Sequence, residues 1–229
     1  MNSLNQQSFN DSNVDYDEDS EEEAEALTAA EVFAKLEEAW LNEKFSPELL
    51  EAKTEIVECI MDQIKVMEEN LLKCKKDDMK ICIHKMELDR IRFVLSSYLR
   101  IRLQKIQNYT AYYLNIENQR TDKQASLFSP EELKFAKEFH SSIDKHLTEL
   151  AMQHMPSILQ NLNDNLSGNK PDLDCYVFLR VNEDTDSVVI DEETTETGEE
   201  TVDFQKDEQH IIRYQPIRHL VSSSQLTLI

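Results

Sequence analysis

The stretch RIRFVLSSYLRIRLQKI (residues 90–106) decides the fold prediction, because its apolar residues lie on more than one side of a helix. At about 100° per residue, these apolar residues and the preceding Leu88 cover roughly 200° of the helix circumference. A surface helix that covers a single core shows an apolar stripe of about 100° or slightly more. We therefore expect this helix, predicted over residues 79–114, to be covered on more than one side.

Two arginines, Arg92 and Arg102, project inside this apolar arc, whereas Arg90 and Arg100 lie outside it. An unpaired buried charge is very costly, so an arginine in this position needs a carboxylate or several carbonyl oxygens nearby. One interpretation is that the arginine stems lie on the core of the same chain, while the guanidinium groups reach water or an intrachain glutamate. The other interpretation is that the helix faces another protein chain.

Capping signals place the first and the last helix of this region. Thr28 followed by Glu31 is a capping box that predicts a helix start. Ser129 and Pro130, followed by two glutamates, repeat the signal for a helix that ends before residue 156.

Two further starts lie between these helices. Ser46 and Pro47 predict a short helical turn through Leu50, and Thr54 begins a long amphipathic helix with one apolar face. Together with the helix over 79–114, these segments predict a bundle of about five helices.

After residue 171 the apolar pattern changes to one that is typical of strands. We predict strands over residues 174–181, 187–191, 211–214 and 226–229, and one helical turn over 216–222. The side chains expected to point inward are Tyr176, Phe178, Ile211 and Tyr214.

The sequence therefore predicts an α+β protein, with an N-terminal α-helical bundle followed by a small β-rich C-terminal domain. The predicted parts are an acidic N-terminus without its own order over 1–26, a helical domain over 27–156, a linker over 157–170, and a β-rich domain over 171–229. The last of these contains an acidic loop over 191–200. About 60 residues is small for an independent core, so we expect the β-rich domain to lean on the bundle or on a partner.

The net charge of −22 is concentrated in two segments. Nine acidic residues and no basic ones lie before residue 27, and nine more acidic residues lie between 182 and 200. This balance argues against a primary role in gripping nucleic acid, which needs clustered basic residues. The alternative that stays open is a direct single-strand or duplex DNA-binding surface over 73–105. This stretch contains ten basic residues and only four acidic ones.

No motif for catalysis or for cofactor binding is present. With only two glycines the chain has no phosphate-binding loop and no dinucleotide-binding turn. Its histidines lack the additional ligands that a metal site in a bundle needs. We expect no catalytic, cofactor-binding or metal-binding residues, no small-molecule substrate and no membrane contact. No signal peptide is apparent and the cysteines have no CxxC spacing, which favours an intracellular protein.

Five blocks of sequence occur in an order that resembles the Sld-five family, a subunit family of the eukaryotic GINS complex. They are AWLNEKFSPELLEAKTEIVECIM (39–61), RIRFVLSSYLRIRLQKI (90–106), SLFSPEELKFAKEF (126–139), KPDLDCYVFLRV (170–181) and QHIIRYQPIRHLV (209–221). The resemblance covers nearly all of the chain from residue 27 onward.

The resemblance implies a helical A domain followed by a small β-rich B domain, in a heterotetramer with three sister GINS subunits. It further implies a nuclear, non-enzymatic scaffold that joins the MCM ring helicase and the Cdc-forty-five protein in the replicative helicase. Such a subunit is needed for the initiation of DNA replication and for progression of the replication fork. Any DNA contact would be weak or indirect.

On these grounds we expect part of the subunit interface to be formed by the long helix and by the β-rich domain. The candidate residues are Arg92, Tyr98, Leu99, Arg102, Tyr176, Phe178 and Tyr214. The acidic N-terminus is a candidate tether for another replication factor, and Ser20, followed by three glutamates, is a candidate phosphate acceptor for an acid-directed kinase.

Overall fold

The computed structural model of the chain describes residues 28–73, 79–120, 126–156, 170–191 and 200–229. The predictions for the acidic N-terminus, for Ser20 and for most of the linker over 157–170 lie outside these residues.

The described part of the N-terminal region is helical, as predicted. Its α-helices are α1 (Ala29–Phe45), α2 (Thr54–Lys73), α3 (Met79–Asn108), α4 (Thr110–Gln119) and α5 (Pro130–Leu150), and a 3-10 turn over Met152–His154 follows them. The predicted capping boxes start α1 and α5. Thr28 Oγ1 accepts a hydrogen bond from the backbone N–H of Glu31 at 3.3 Å, and Ser129 Oγ accepts one from the N–H of Glu132 at 3.2 Å.

Two helix predictions are wrong in detail. Ser46 and Pro47 do not start a helical turn: Ser46 is the C-cap of α1, and its hydroxyl donates to the carbonyl of Glu48 at 2.8 Å. The helix predicted to run to residue 114 is two helices, because Tyr109 leaves the helical conformation between α3 and α4. The hydroxyl of Thr110 bonds to the carbonyl of Ile106 at this break, which is a contact that often bends helices.

The C-terminal region forms two small sheets and one helix. Its elements are β1 (Tyr176–Val181), β2 (Thr185–Asp191), β3 (Glu200–Phe204), β4 (Gln209–Arg213), α6 (Tyr214–Ser222) and β5 (Leu226–Leu228). The strands β4, β1 and β5 form one antiparallel sheet in this order, and β2 pairs with β3 in a second. Strand β3 is not among the predicted strands, because it starts in the acidic segment, whose charges favour a solvated loop.

The expected facing of β1 is wrong by one residue. Val177, Leu179 and Val181 are buried, whereas Tyr176 and Phe178 are exposed. Strand side chains alternate between faces, so a shift of one residue moves the whole set to the other side. Ile211 lies opposite Phe178 and is exposed with it, while Tyr214, on α6, is fully buried as expected.

The described residues form three apolar clusters, two of which include a residue of the segment 46–53 between α1 and α2. One cluster joins α1, α2 and α3, and another fills the space between the C-terminal sheets and α6. The third contains Leu49 together with residues of α3, α4 and α5. Leu50 packs against the C-terminal cluster, so two consecutive residues connect the bundle to the β-rich region.

Candidate subunit interface

Arg102 lies in the interior of the chain with only 1% of its side chain exposed. Its Nε and Nη2 donate to the two carboxylate oxygens of Glu132 at 2.8 and 2.9 Å, and its Nη1 donates to Glu43 at 3.0 Å. The carbonyl oxygens of Leu50 and Leu127 accept the two remaining hydrogen bonds, at 2.8 and 2.7 Å. All five N–H donors of the guanidinium are thus satisfied inside this chain.

Lys105, one helical turn further along α3, extends this ion cluster. Its Nζ donates to Glu43 Oε1 and Ser46 Oγ, both at 2.8 Å, and to the carbonyl of Glu48 at 2.7 Å. Burial lowers the pKa of Lys105 more than the attraction of Glu43 raises it. Burial acts against the charged form of Arg102 as well, but its hydrogen bonds to Glu132 and the charge of Glu43 outweigh this, so the pKa of Arg102 is raised.

Two of the candidate tyrosines are also interior residues. Tyr98 is 2% exposed, and its hydroxyl accepts a long hydrogen bond of 3.5 Å from the backbone N–H of Lys53. Tyr214 has no exposed surface, and its hydroxyl donates to Glu48 Oε1 at 2.8 Å. A partner chain cannot reach these two side chains or Arg102 while the chain is folded. The intrachain interpretation therefore applies to Arg102, and these three residues do not belong to a contact surface.

The other two candidates on α3 lie at the surface. Arg92 is about half exposed and forms ion pairs with Glu68 of α2 and with Asp89, one turn earlier on its own helix. Leu99 is 36% exposed. Both remain candidates for a subunit contact.

A row of exposed apolar side chains along the first half of α3 was missed at the sequence level. Met79, Ile83, Met86 and Phe93 are 78%, 59%, 72% and 63% exposed. They are spaced by four, three and seven residues, which places them on one face of the helix, and we call them the α3 stripe. The spacing was visible in the sequence, but the prediction considered only the second half of the helix.

A second exposed apolar surface lies on the outer side of the β4-β1-β5 sheet. Tyr176, Phe178, Ile211 and Ile229 are 67%, 43%, 62% and 41% exposed. Phe178 and Ile211 are direct cross-strand partners, and the N–H of Ile229 donates to the carbonyl of Phe178 at 2.9 Å. We call these four residues the sheet face; it includes two of the candidates.

The alternative of DNA binding through residues 73–105 is not favoured by the charges in this region. The chain's own carboxylates already pair with four of the basic residues that the structure describes there. Arg90 pairs with Glu37 and Glu87, Arg92 with Glu68, and Arg102 and Lys105 share Glu43. Phosphate contacts need cationic groups that can replace counterions, so this intrachain pairing reduces the number of cationic groups that α3 offers to a phosphate backbone.

Other kinds of site find no support in the described residues. They contain no group of three or more histidine, cysteine or acidic side chains arranged to hold a metal ion. None of the described helices is long and apolar enough to cross a membrane.

Comparison with protein families matches two regions of the chain. Residues 45–151 match the GINS complex protein helical bundle domain, and residues 171–229 match the C-terminus of the DNA replication complex GINS protein SLD5. The two matches together cover well over half of the chain.

Curated relatives match over nearly the full length. The DNA replication complex GINS protein SLD5 of Homo sapiens is 47% identical over 213 residues, which cover 93% of this chain and 96% of that protein. The Xenopus laevis protein of the same name is 46% identical over the same shares. The Dictyostelium discoideum protein is 29% identical over 200 residues, or 85% of this chain and 90% of its own.

Proposed function

This chain belongs to the SLD5 family of GINS proteins, and from this membership we propose that it is a scaffold subunit of a heterotetramer with three sister GINS subunits. In this proposal the heterotetramer is a component of the replicative helicase in the nucleus. It joins the MCM ring helicase and the Cdc-forty-five protein, and it is needed for initiation and for fork progression.

The observation that carries the proposal is the α3 stripe. Apolar side chains on the outer face of a helix raise the free energy of the isolated chain in water, and patches of this kind mark protein interaction sites. The stripe gives α3 a second apolar side, away from its own core, as expected for a helix that packs on a second helical bundle. The sheet face offers a second contact on the C-terminal region.

The distribution of buried polar groups supports a role without catalysis. Arg102 and Lys105 both pair with Glu43, so these buried charges hold elements of the chain's own fold together. A cleft of about 460 Å³ lies between α1, the segment 50–56 and the end of α6. Glu43 lies in its lining with its carboxylate already paired to Arg102 and Lys105.

Native mass spectrometry of the tagged chain, purified from nuclear extract at moderate salt, tests this proposal. We expect a stoichiometric assembly close to four times the 26.8 kDa mass of this chain, with three partners of similar size. A chain that stays a folded monomer under these conditions would contradict it.

Two variants locate the contacts. Met86→Glu and Phe178→Asp each place a charge on one of the exposed surfaces, and each should lower the yield of the assembly by about tenfold or more. Ser142→Glu adds the same charge at an exposed position of α5 and serves as the matched control. If the three variants assemble equally well, the α3 stripe and the sheet face are not subunit contacts.

A further inference from the structure

Glu48 lies at the boundary between the helical bundle and the C-terminal region, and it accepts hydrogen bonds from both sides. Its carbonyl accepts from the hydroxyl of Ser46 at 2.8 Å and from Lys105 Nζ at 2.7 Å. Its carboxylate Oε1 accepts from the hydroxyl of Tyr214 at 2.8 Å and from Arg218 Nε at 2.6 Å. The main chain of one residue is thus bound to the bundle, and its side chain is bound to α6.

The carboxylate of Glu48 is buried, with 7% of its side chain exposed. A buried carboxylate needs a cation and hydrogen-bond donors, because without them the loss of hydration is uncompensated. Arg218 provides the cation from the rim, where its own side chain is half exposed. Tyr214 provides the second donor from a fully buried position. Both donors belong to the first two turns of α6.

The segment that carries Glu48 is itself fixed by side chains of α3 and α4. The backbone N–H of Leu49 donates to the hydroxyl of Tyr113 at 2.9 Å, and the carbonyl of Leu50 accepts from Arg102. The segment cannot shift without breaking contacts to both helices. Glu48 is therefore a fixed point of the bundle.

A second polar contact joins another element of the C-terminal region to the bundle. Asn42, on the last turn of α1, is buried, and its Oδ1 accepts a hydrogen bond from the backbone N–H of Leu228 at 2.8 Å. Leu228 lies on β5, whereas Tyr214 begins α6. Attachment at one point permits rotation, but attachment at two separate elements sets an orientation.

We propose that Glu48 is a positioning residue, which holds the C-terminal region on the bundle so that the α3 stripe and the sheet face are presented in one fixed relative orientation. The consequence for assembly rests on the proposed function, in which these two surfaces contact sister subunits. Two contacts on one rigid body reinforce each other, because forming the first brings the second to a high effective concentration. If the C-terminal region can move relative to the bundle, each binding event must also order it, and this entropy cost cancels the gain in effective concentration.

The test measures the orientation directly, in the full-length chain. Spin labels are introduced through unnatural amino acids at Lys65 on α2 and at Lys206 in the turn between β3 and β4, both of which are exposed. Pulsed electron resonance then gives the distribution of distances between them. We expect one narrow distribution for the parent chain and a broad one for Glu48→Ala, with helical circular dichroism retained.

Glu48→Gln keeps an oxygen that can accept from Tyr214 and Arg218, so it should restore the narrow distribution. Glu51→Ala changes an exposed glutamate of the same segment and should leave the distribution unchanged. A distribution for Glu48→Ala as narrow as that of the parent chain overturns the proposal. If Glu48→Ala does not fold, Tyr214→Phe is measured in its place, because it removes only the hydroxyl that donates to Glu48. A broader distance distribution for Tyr214→Phe supports the proposal, and one as narrow as that of the parent chain overturns it.

Assembly is measured separately by co-expressing each variant with the three chains that co-purify with the parent. We expect Glu48→Ala to lower the yield of the heterotetramer by about tenfold or more, and Glu48→Gln to restore it. A broad distance distribution with an unchanged yield refutes the positioning role in assembly. If the parent chain forms no heterotetramer, the proposed function fails, while the distance measurement still decides whether Glu48 sets the orientation.

Discussion

Arg102 and Glu132 form a two-point ion pair inside the bundle, with Nε–Oε1 and Nη2–Oε2 distances of 2.8 and 2.9 Å. The pair joins α3 to the first turn of α5, across 30 residues of sequence. Both side chains are almost completely buried. Removing either partner leaves the other as a buried charge that has lost its hydrogen bonds. This uncompensated burial strongly lowers the free energy of unfolding.

Arg102→Ala should therefore lower the free energy of unfolding by about 3–5 kcal/mol. Helicity and assembly should fall together in this variant, because the side chain acts within the chain. Urea unfolding followed by circular dichroism measures the loss. Arg100→Ala changes an exposed arginine of the same helix and should alter stability by no more than about 0.5 kcal/mol. Equal stability of the two variants would show that the interior ion cluster does not stabilise the fold.

Glu132 has a second contact, because its Oε2 also accepts a hydrogen bond from the backbone N–H of Ser129 at 2.9 Å and so completes the cap of α5. Glu132→Gln removes the charge from both contacts and should cost about 1.5–3 kcal/mol of stability. Its neighbour Glu131 is exposed, so Glu131→Gln is a control at the adjacent position. Thermal unfolding of the two variants side by side makes the comparison. A lower melting temperature for Glu131→Gln than for Glu132→Gln would show that the inner contact does not matter.

Three buried tyrosines make stability sensitive to high pH. Burial raises the pKa of Tyr98, Tyr113 and Tyr214, and the carboxylate of Glu48 adds to this at Tyr214. Above their ordinary value of 10.0 these phenols lose protons in the unfolded chain but keep them in the folded one. The folded state then binds more protons, so stability falls as pH rises through this range.

Absorbance of tyrosinate, recorded together with circular dichroism during an alkaline titration, tests this expectation. Three of the seven tyrosines should ionise only as the helices unfold. Tyr113→Phe should weaken the dependence of stability on pH above 10. Ionisation of all tyrosines while the helices remain intact would contradict the burial seen in the structure.

Glu38 has the opposite character, since its charge destabilises the fold. Within the described part of the chain its Oε1 is buried and accepts no hydrogen bond. Burial raises the pKa of this carboxyl, while the charges of Lys53 and Lys35 and a hydrogen bond with Thr227 act in the other direction. The folded state holds the proton more tightly than the unfolded one, so this group favours folding at low pH and loses its contribution as the pH rises above 4.5.

Glu38→Gln should thus stabilise the chain at pH 7, by up to about 1 kcal/mol, because the amide removes the partly buried charge and remains in the same position. The gain should disappear below pH 4.5, where both states are protonated. Chemical unfolding at several pH values measures it, with Glu58→Gln at an exposed position of α2 as the control. A loss of stability at pH 7 would show that the carboxylate has a favourable partner.

Local signals in the sequence predicted what depends on neighbouring residues. The capping boxes at Thr28 and Ser129 fixed two helix starts, because their hydrogen bonds join residues three positions apart. The need of Arg102 for a carboxylate also followed from its position in the apolar arc. The identity of that carboxylate did not, since Glu43 is 59 residues away and Glu132 is 30 residues away.

The remaining differences come from patterns that are ambiguous before tertiary contacts exist. In β1 the two aromatic side chains Tyr176 and Phe178 favoured the wrong face, although Arg180 belongs to their set and the alternate set of Val177, Leu179 and Val181 is wholly apolar. The strand that starts at Glu200 lies at the end of an acidic segment, and this concentration of charge predicts a loop instead of a strand. The subunit contacts themselves depend on chains whose sequences are not part of this one, so those residues stay predictions.

The contact between Asn42 and Leu228 has a consequence for how the protein is made. These residues are 186 positions apart, and Leu228 is synthesised long after Asn42. The first helix therefore emerges long before the strand that completes its surroundings. Contacts between distant residues slow folding because the chain between them must first be ordered. The hydrogen bond of Asn42 therefore forms only after the 186 positions that separate it from Leu228 have been synthesised, and a chain cut before Leu228 leaves the buried Asn42 side chain without this donor.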